Sequence, residues 1–369
     1  MSFDFVDLDE ESFLDLKHYN NFPKFPEVSP FLTPTPINEE SSIFLRSTSS
    51  INFKKEENVD NSNSNSNSNS NSNSNGNIPI GKIEVILPIG KLRFNSKGPN
   101  HEGRDSQVFL GELVTSETVQ VAVKVYKSDQ TALEGAQKEV KIAQNITKNR
   151  PDFLKLFYSG TITIILPEFI SVWEWIDGGT IDRGVLTKLS NTQIKNLIKS
   201  MANSIGYLHA CNLSHHDLKP QNILITNDLQ RIILIDFGDS KHISNNDDNS
   251  NGVPLDEGIG LGTLAYTAPE LLSHKSQFYD PFAADVYSFG VLLFYFLNKG
   301  FILPFQALIP HRAVQLILTV QKGFFAGEYN PEKPRDSPIY PLMLKCLQVD
   351  PRERPKFTEI IETINFALE

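Results

Sequence analysis

The stretch that most constrains this chain is His215-His216-Asp217-Leu218-Lys219-Pro220-Gln221-Asn222, because Asp236-Phe237-Gly238 follows fourteen residues after Asn222. Between them lie two β-branched, apolar runs, residues 223–226 and 231–235, joined through the turn-forming pair Asn227-Asp228. That pattern predicts a hairpin. A hairpin returns its ends to one place, so Asp217 and Asn222 at one end should stand beside Asp236 at the other, with the Lys219 ammonium in the same small volume. Two carboxylates and an amide oxygen suit a hard Mg²⁺ held together with substrate phosphates. Phosphoryl transfer needs those parts and little covalent chemistry, since positioning and charge neutralisation carry most of the work.

Five fixed positions of the first stretch (His215, Asp217, Lys219, Pro220 and Asn222) coincide by accident in roughly one window in a million at average composition. With Asp236-Phe237-Gly238 they resemble the protein kinase family. The resemblance covers about residues 89–366 and runs to the chain's end, so no second catalytic domain is expected to follow. It implies an α+β, two-lobed fold: a small β-rich N-lobe (83–175) and a larger, mainly helical C-lobe (176–369), after an N-terminal arm (1–82). It also implies ATP and Mg²⁺ as cofactors and proteins as substrates. By resemblance Asp217 orients the acceptor hydroxyl and receives its proton, Lys219 offsets charge on the transferred group, and Asn222 and Asp236 hold the metal. Lys219 two residues after Asp217, with Thr263 after Gly262, is the serine/threonine form of the family. The Asp285 motif and the stretch 346–355 most resemble its tyrosine-kinase-like group.

In the N-terminal half, residues 119–125 alternate as a strand and end in the Val-Ala-Val-Lys form of the family's third strand. The resemblance pairs Lys124 with Glu139, in a helical segment whose apolar residues Leu133, Ala136, Val140 and Ala143 fall on one stripe, with Glu134 as the alternative partner. Strands are expected at 89–94 and 107–111. Between them a kinase carries a glycine-rich phosphate loop, whose three glycine positions fall here on His101, Gly103 and Ser106, ahead of Val108. One glycine of three is kept. Residues 172–179 resemble the hinge, where backbone groups from Glu174 to Ile176 would meet adenine and Trp173 would limit the back of the pocket. Val108, Ala122 and Leu224 are assigned to the same nucleotide cleft.

In the C-terminal half, Ser190-x-x-Gln193 is a capping-box signature ahead of an amphipathic run from Ile194 to Leu208. Asp285 opens a nearly all-apolar helix and, by resemblance, anchors the catalytic loop. Arg354 is the expected partner of Glu270. His216 stands where most of the family has an arginine that grips a phosphate on the activation segment. An imidazole is a poor substitute for that bidentate fork, so activity is expected without phosphate on Ser240, Ser244, Ser250 or Thr263.

Charge locates the remainder. Of the formal −10, residues 1–60 hold 12 acidic against 5 basic side chains, leaving −3 elsewhere. Neither part is a basic nucleic-acid surface. Residues 2–16 alternate acidic and large apolar types, residues 22–36 carry five prolines, and 61–75 alternate Asn and Ser. This composition predicts a disordered arm, with a docking peptide within residues 1–60 as the sharper alternative. Ser29-Pro30, Thr33-Pro34 and Thr35-Pro36 could accept phosphate from a proline-directed kinase. Two cysteines, an acidic N-terminus and no apolar run long enough to span a bilayer predict a cytoplasmic protein, with nuclear access left open. Oligomeric state is not encoded. The rival to an active kinase is a pseudokinase, a nucleotide-binding or scaffold module without transfer, suggested by the altered loop and His216.

Overall fold

Alternation at period two over residues 82–126 builds most of a sheet, and the switch to a 3.6-residue period at Gln130 interrupts it with a helix before the last two strands. The computed structural model describes residues 81–163, 167–243, 253–254, 264–273, 278–300 and 337–368. The arm 1–80, the middle of the activation segment with Ser244 and Ser250, and Thr263 lie outside the described residues.

The N-lobe is an antiparallel sheet of seven strands among the described residues: β1 (Lys82–Leu87), β2 (Gly90–Asn95), β3 (His101–Glu102), β4 (Ser106–Val114), β5 (Thr118–Tyr126), β6 (Leu156–Thr163) and β7 (Pro167–Glu174). They run in the order β1-β2-β4-β5-β7-β6, with β3 on β4. Strand β1 is a finding beyond the expected strand at 89–94. Its alternation, with Ile83, Val85 and Leu87 buried, is as regular as any in the chain. It pairs with β2 across the Pro88-Ile89 turn, closed by Gly90 at φ 142. A Cβ on Gly90 would come within 2.6 Å of the Val114 carbonyl oxygen.

Alternation gives each central strand two faces. Val121, Val123 and Val125 of β5 join Ile170 and Val172 of β7 in the sheet's own core. Ala122, Lys124, Tyr126, Ser171 and Trp173 point the other way, toward helix α1 (Gln130–Asn145), where Trp173 packs on Val140 and Ala143. Asp129 caps α1, its carboxylate accepting the Ala132 N–H at 2.9 Å.

The C-lobe is built on two long helices. The capping box at Ser190 and Gln193 starts α3 (Asn191–Ala210), following the short α2 (Arg183–Lys188). Short strand β8 (Leu213–Ser214) and the hairpin of β9 (Ile223–Ile225) with β10 (Ile232–Leu234) come next. The hairpin is the predicted one, but its turn differs: the positive φ falls on Leu229 (59°), whose N–H donates to the Thr226 carbonyl at 2.9 Å, not on Asn227-Asp228. β11 (Lys241–His242) pairs with β8, and α4 (Pro269–Ser273) precedes α5. Helix α5 runs Pro281–Leu297, capped by Asp280, so Asp285 sits one turn inside it instead of opening it. At Gly290 a Cβ would meet Leu347 and Cys346 side-chain carbons at 2.7 and 2.9 Å, so the missing side chain lets α6 (Tyr340–Cys346) lie directly on α5. Helix α7 (Phe357–Ala367) packs on α3 and ends the described chain. No described helix is long and apolar enough to cross a membrane.

Candidate active site

The β9–β10 hairpin does what its pattern predicted. At its base the Ile235 N–H donates to the Asn222 carbonyl at 3.0 Å, which sets the residue before Asp236 against the end of the catalytic loop. Asn222 is buried, and its Nδ2 donates both to the Asp217 carbonyl and to Asp217 Oδ2, each at 2.8 Å. Lys219 Nζ reaches the same Oδ2 at 2.6 Å. Asp217 Oδ1 is engaged by neither.

The loop is held from below. Asp285, 1 % exposed, accepts the His215 N–H at Oδ2 (2.7 Å) and the His216 N–H at Oδ1 (2.8 Å), while His209 Nε2 lies 2.9 Å from Oδ2. Burial alone would raise this carboxyl; the His209 and backbone hydrogen bonds and the histidine rings outweigh it and hold the group below the ordinary range. His216 takes φ 69 and Asp236 φ 68, left-handed conformations that cost a non-glycine residue roughly 1–2 kcal/mol each. They persist because the loop around them is fixed on both sides. Phe237 is buried against His215 (ring centroids 5.1 Å) and Phe153 (5.9 Å).

From the other lobe, Lys124 Nζ donates to Glu139 Oε2 at 2.7 Å and stands 3.9 Å from Asp236 Oδ1. Burial would lower the Lys124 ammonium, but the Glu139 and Asp236 charges raise it well above its usual value, so it stays charged. Asp236 shows the mirror effect: burial opposes ionisation, and Lys124, His215 and Lys219 carry the net shift downward. Its side chain is 46 % exposed. Glu134 takes no part; it accepts from Gln130 on the exposed side of α1.

The Asn222 amide hydrogens are committed to Asp217, so its oxygen end is what it offers to a cation. With the exposed Asp236 carboxylate this makes a hard, all-oxygen donor set of the kind Mg²⁺ shares with phosphates. Among the described residues no group of three or more His, Cys, Asp or Glu side chains is placed to hold a metal ion.

Val108 is paired with Lys124 in register, and Ala122 with Trp173. Leu224 alternates with buried Ile223 and Ile225 and is the half-exposed member of its strand. Ile176 is buried. Glu174 lies at the hinge, and its side chain makes a bidentate pair with Arg231 of the hairpin (2.5 and 2.9 Å), which lowers the carboxyl. Arg231 was not singled out in the sequence; a lone arginine in a strand pattern gives no sign of a partner 57 residues away. In the phosphate loop, Gly103 N–H donates to Ser106 O at 2.9 Å and Ser106 is buried. A Cβ on Gly103 would meet nothing closer than 3.5 Å, so the loop does not depend on glycine there.

His216 differs from the family's arginine in what it binds. Its Nε2 lies 2.7 Å from the Tyr279 hydroxyl, with the two rings 5.4 Å apart. Burial pushes this imidazole below its ordinary value, partly offset by Asp285. Arg354, its side chain fully buried, pairs bidentately with Glu270 at 2.7 and 2.8 Å, as expected.

Comparison with known proteins agrees with this geometry. The family model described as "Protein kinase domain" matches residues 102–366. A serine/threonine-protein kinase of Arabidopsis thaliana is 29 % identical over 272 residues, covering 71 % of this chain and 42 % of the relative. A second, from Xenopus laevis, is 30 % identical over 211 residues, covering 54 % of this chain and 39 % of the relative. The chain thus spans about two-fifths of the length of these curated relatives.

Proposed function

We propose that this chain, which belongs to the protein kinase family, transfers the γ-phosphate of ATP to serine and threonine hydroxyls of protein substrates. The observations that support the reading are Asn222 and Lys219 on the Asp217 carboxylate, the Ile235 N–H on the Asn222 carbonyl next to Asp236, and Lys124, paired with Glu139, 3.9 Å from Asp236. Asp217 Oδ1 orients the acceptor hydroxyl and takes its proton as the new oxygen–phosphorus bond forms and the bond from the γ-phosphorus to the β,γ-bridging oxygen breaks, with ADP as the leaving group. Lys219, on Oδ2, holds the carboxylate and offsets charge on the transferred group. Lys124 binds the α- and β-phosphates. Asn222 and Asp236 would hold Mg²⁺, which when bound neutralises phosphate oxygens. Groups aimed in advance at developing charge supply the largest share of such a rate enhancement.

Incubating the full chain with γ-labelled ATP and a generic protein substrate, beside an Asp217→Ala control, tests this. Label on serine and threonine, lost in the control, is the expected result. Nucleotide binding without transfer would instead support the pseudokinase reading, whose support is the loop that keeps one glycine of three at His101, Gly103 and Ser106, and His216 in place of arginine. The proposed location is cytoplasmic, supported by two cysteines, neither in a disulfide. Residues 1–60 are the proposed docking segment, and a pull-down that survives their deletion would remove that assignment.

A further inference from the structure

One side chain behind the nucleotide cleft has no part in the chemistry described above, yet touches the group that orders it. Tyr126, fully buried at the end of β5, has its hydroxyl 2.9 Å from Glu139 Oε2 and 2.9 Å from Ser171 Oγ. Ser171 Oγ in turn receives the Trp173 indole N–H at 2.6 Å. Donor and acceptor roles along this chain are forced. An indole N–H only donates and a carboxylate only accepts. The Ser171 oxygen therefore accepts from Trp173 and gives its own proton to Tyr126, and Tyr126 gives its proton to Glu139. Every bond points the same way, toward the oxygen that also receives Lys124 at 2.7 Å. Hydrogen bonds aligned head to tail in a low-dielectric interior polarise one another. Burial, with the Glu139 charge beside it, pushes the Tyr126 phenol well above its ordinary value, so it keeps the proton it donates.

The geometry of the sheet explains the assembly. Lys124 and Tyr126 are two apart on one face of β5, as Ser171 and Trp173 are on β7, and Lys124 pairs with Ser171 in register. Period two therefore lines up all four side chains beneath helix α1. Glu139 is the member from α1 itself, so the relay ties the helix to the sheet through the same carboxylate that fixes Lys124.

We propose that Tyr126 is a positioning residue for phosphoryl transfer: with Ser171 and Trp173 behind it, its hydroxyl holds Glu139, and through Glu139 helix α1, in the arrangement that presents Lys124 to the nucleotide phosphates. The proposal rests on the kinase reading above. It gives this chain a built-in lock on α1, independent of any phosphate on the activation segment.

The test uses the full chain and four variants: Tyr126→Phe, Ser171→Ala, Glu139→Gln and the double variant Tyr126→Phe with Glu139→Gln. Two quantities are measured for each, Mg-ATP affinity by calorimetry and steady-state transfer to a generic substrate. Tyr126→Phe removes one oxygen from a site that keeps its shape, and loss of a hydrogen bond to a charged group is expected to lower kcat/KM about tenfold. Most of that should appear in the ATP term, with the melting temperature little changed. Ser171→Ala should show the same split more weakly. In the Glu139→Gln background the tyrosine change should have less than about a twofold effect, because its target no longer carries charge. Wild-type values within about twofold for Tyr126→Phe in both assays, or a full effect persisting without the Glu139 charge, would overturn the proposal. If the wild type transfers no more label than Asp217→Ala, the enzymatic reading fails, and the affinity measurements alone still decide the role of Tyr126.

Discussion

Replacing Asp285 by alanine removes the floor of the catalytic loop, and the structure allows its cost to be worked out. The carboxylate is 1 % exposed and accepts two backbone N–H groups and one imidazole at 2.7 to 2.9 Å. Alanine leaves the His215 and His216 N–H groups without an acceptor, and a stranded buried donor costs about 1–3 kcal/mol. Against this, the fold no longer carries a desolvated charge, which offsets part of the loss. The expected net is about 3–5 kcal/mol, as for other broken buried ionic contacts. For a domain of this size that is a fall in Tm on the order of 10 °C. The catalytic consequence is separate. Asp217 follows His216 directly, and a displacement of about 1 Å in a reacting group can cost about 100-fold in rate. Thermal unfolding read beside phosphotransfer at 20 °C, where both proteins remain folded, measures the two effects independently. Asp285→Asn, which keeps the shape and one acceptor oxygen, should fall between them. A Tm within about 2 °C of wild type together with unchanged kcat would show that this carboxylate does not hold the loop.

Three further outcomes follow from the same geometry. Trp173 buries a large ring against Val140 and Ala143; Trp173→Ala should cost about 3–5 kcal/mol in urea unfolding and admit bulky ATP-site inhibitors that wild type excludes, and nanomolar binding of such a compound to wild type would contradict this. His216 titrates lower folded than unfolded, so its stability contribution is complete above about pH 6.5 and is lost as pH falls through the folded value; His216→Asn should therefore flatten the decline in Tm between pH 7 and pH 5, and parallel curves would refute it. His216 is engaged with Tyr279 and is not an arginine fork, so the activity of phosphatase-treated protein should match that of untreated protein, and its loss would show a requirement for activation-segment phosphate.

The sequence disclosed most where residue type and spacing act locally. The capping box at Ser190, the alternation through Lys124 and the hairpin after Asn222 each follow from a period or a cap, and each is found. The pairings of Lys124 with Glu139 and Arg354 with Glu270 were legible only through resemblance, since no spacing rule joins residues 84 apart. Strand β1 is legible in the alternation of Ile83, Val85 and Leu87, which lies ahead of the strand expected at 89–94. The Glu174–Arg231 pair and the Trp173–Ser171–Tyr126 relay could not be read from one chain. The relay depends on the register of β5 against β7, and the Glu174–Arg231 pair on where the separate β9–β10 hairpin meets the end of β7; neither leaves a mark in composition. Leu229 at positive φ is similar: the turn residues named Asn227 and Asp228, and the strain settled one place later.

The most direct test of the whole account is a single-turnover measurement of γ-phosphoryl transfer with the wild type, Asp217→Asn and Lys124→Met under one set of conditions. The account predicts transfer by wild type, retained nucleotide binding but at least about a thousandfold slower transfer for Asp217→Asn, and weakened ATP binding for Lys124→Met. Equal transfer rates for wild type and Asp217→Asn, or none from wild type with ATP bound, would contradict it.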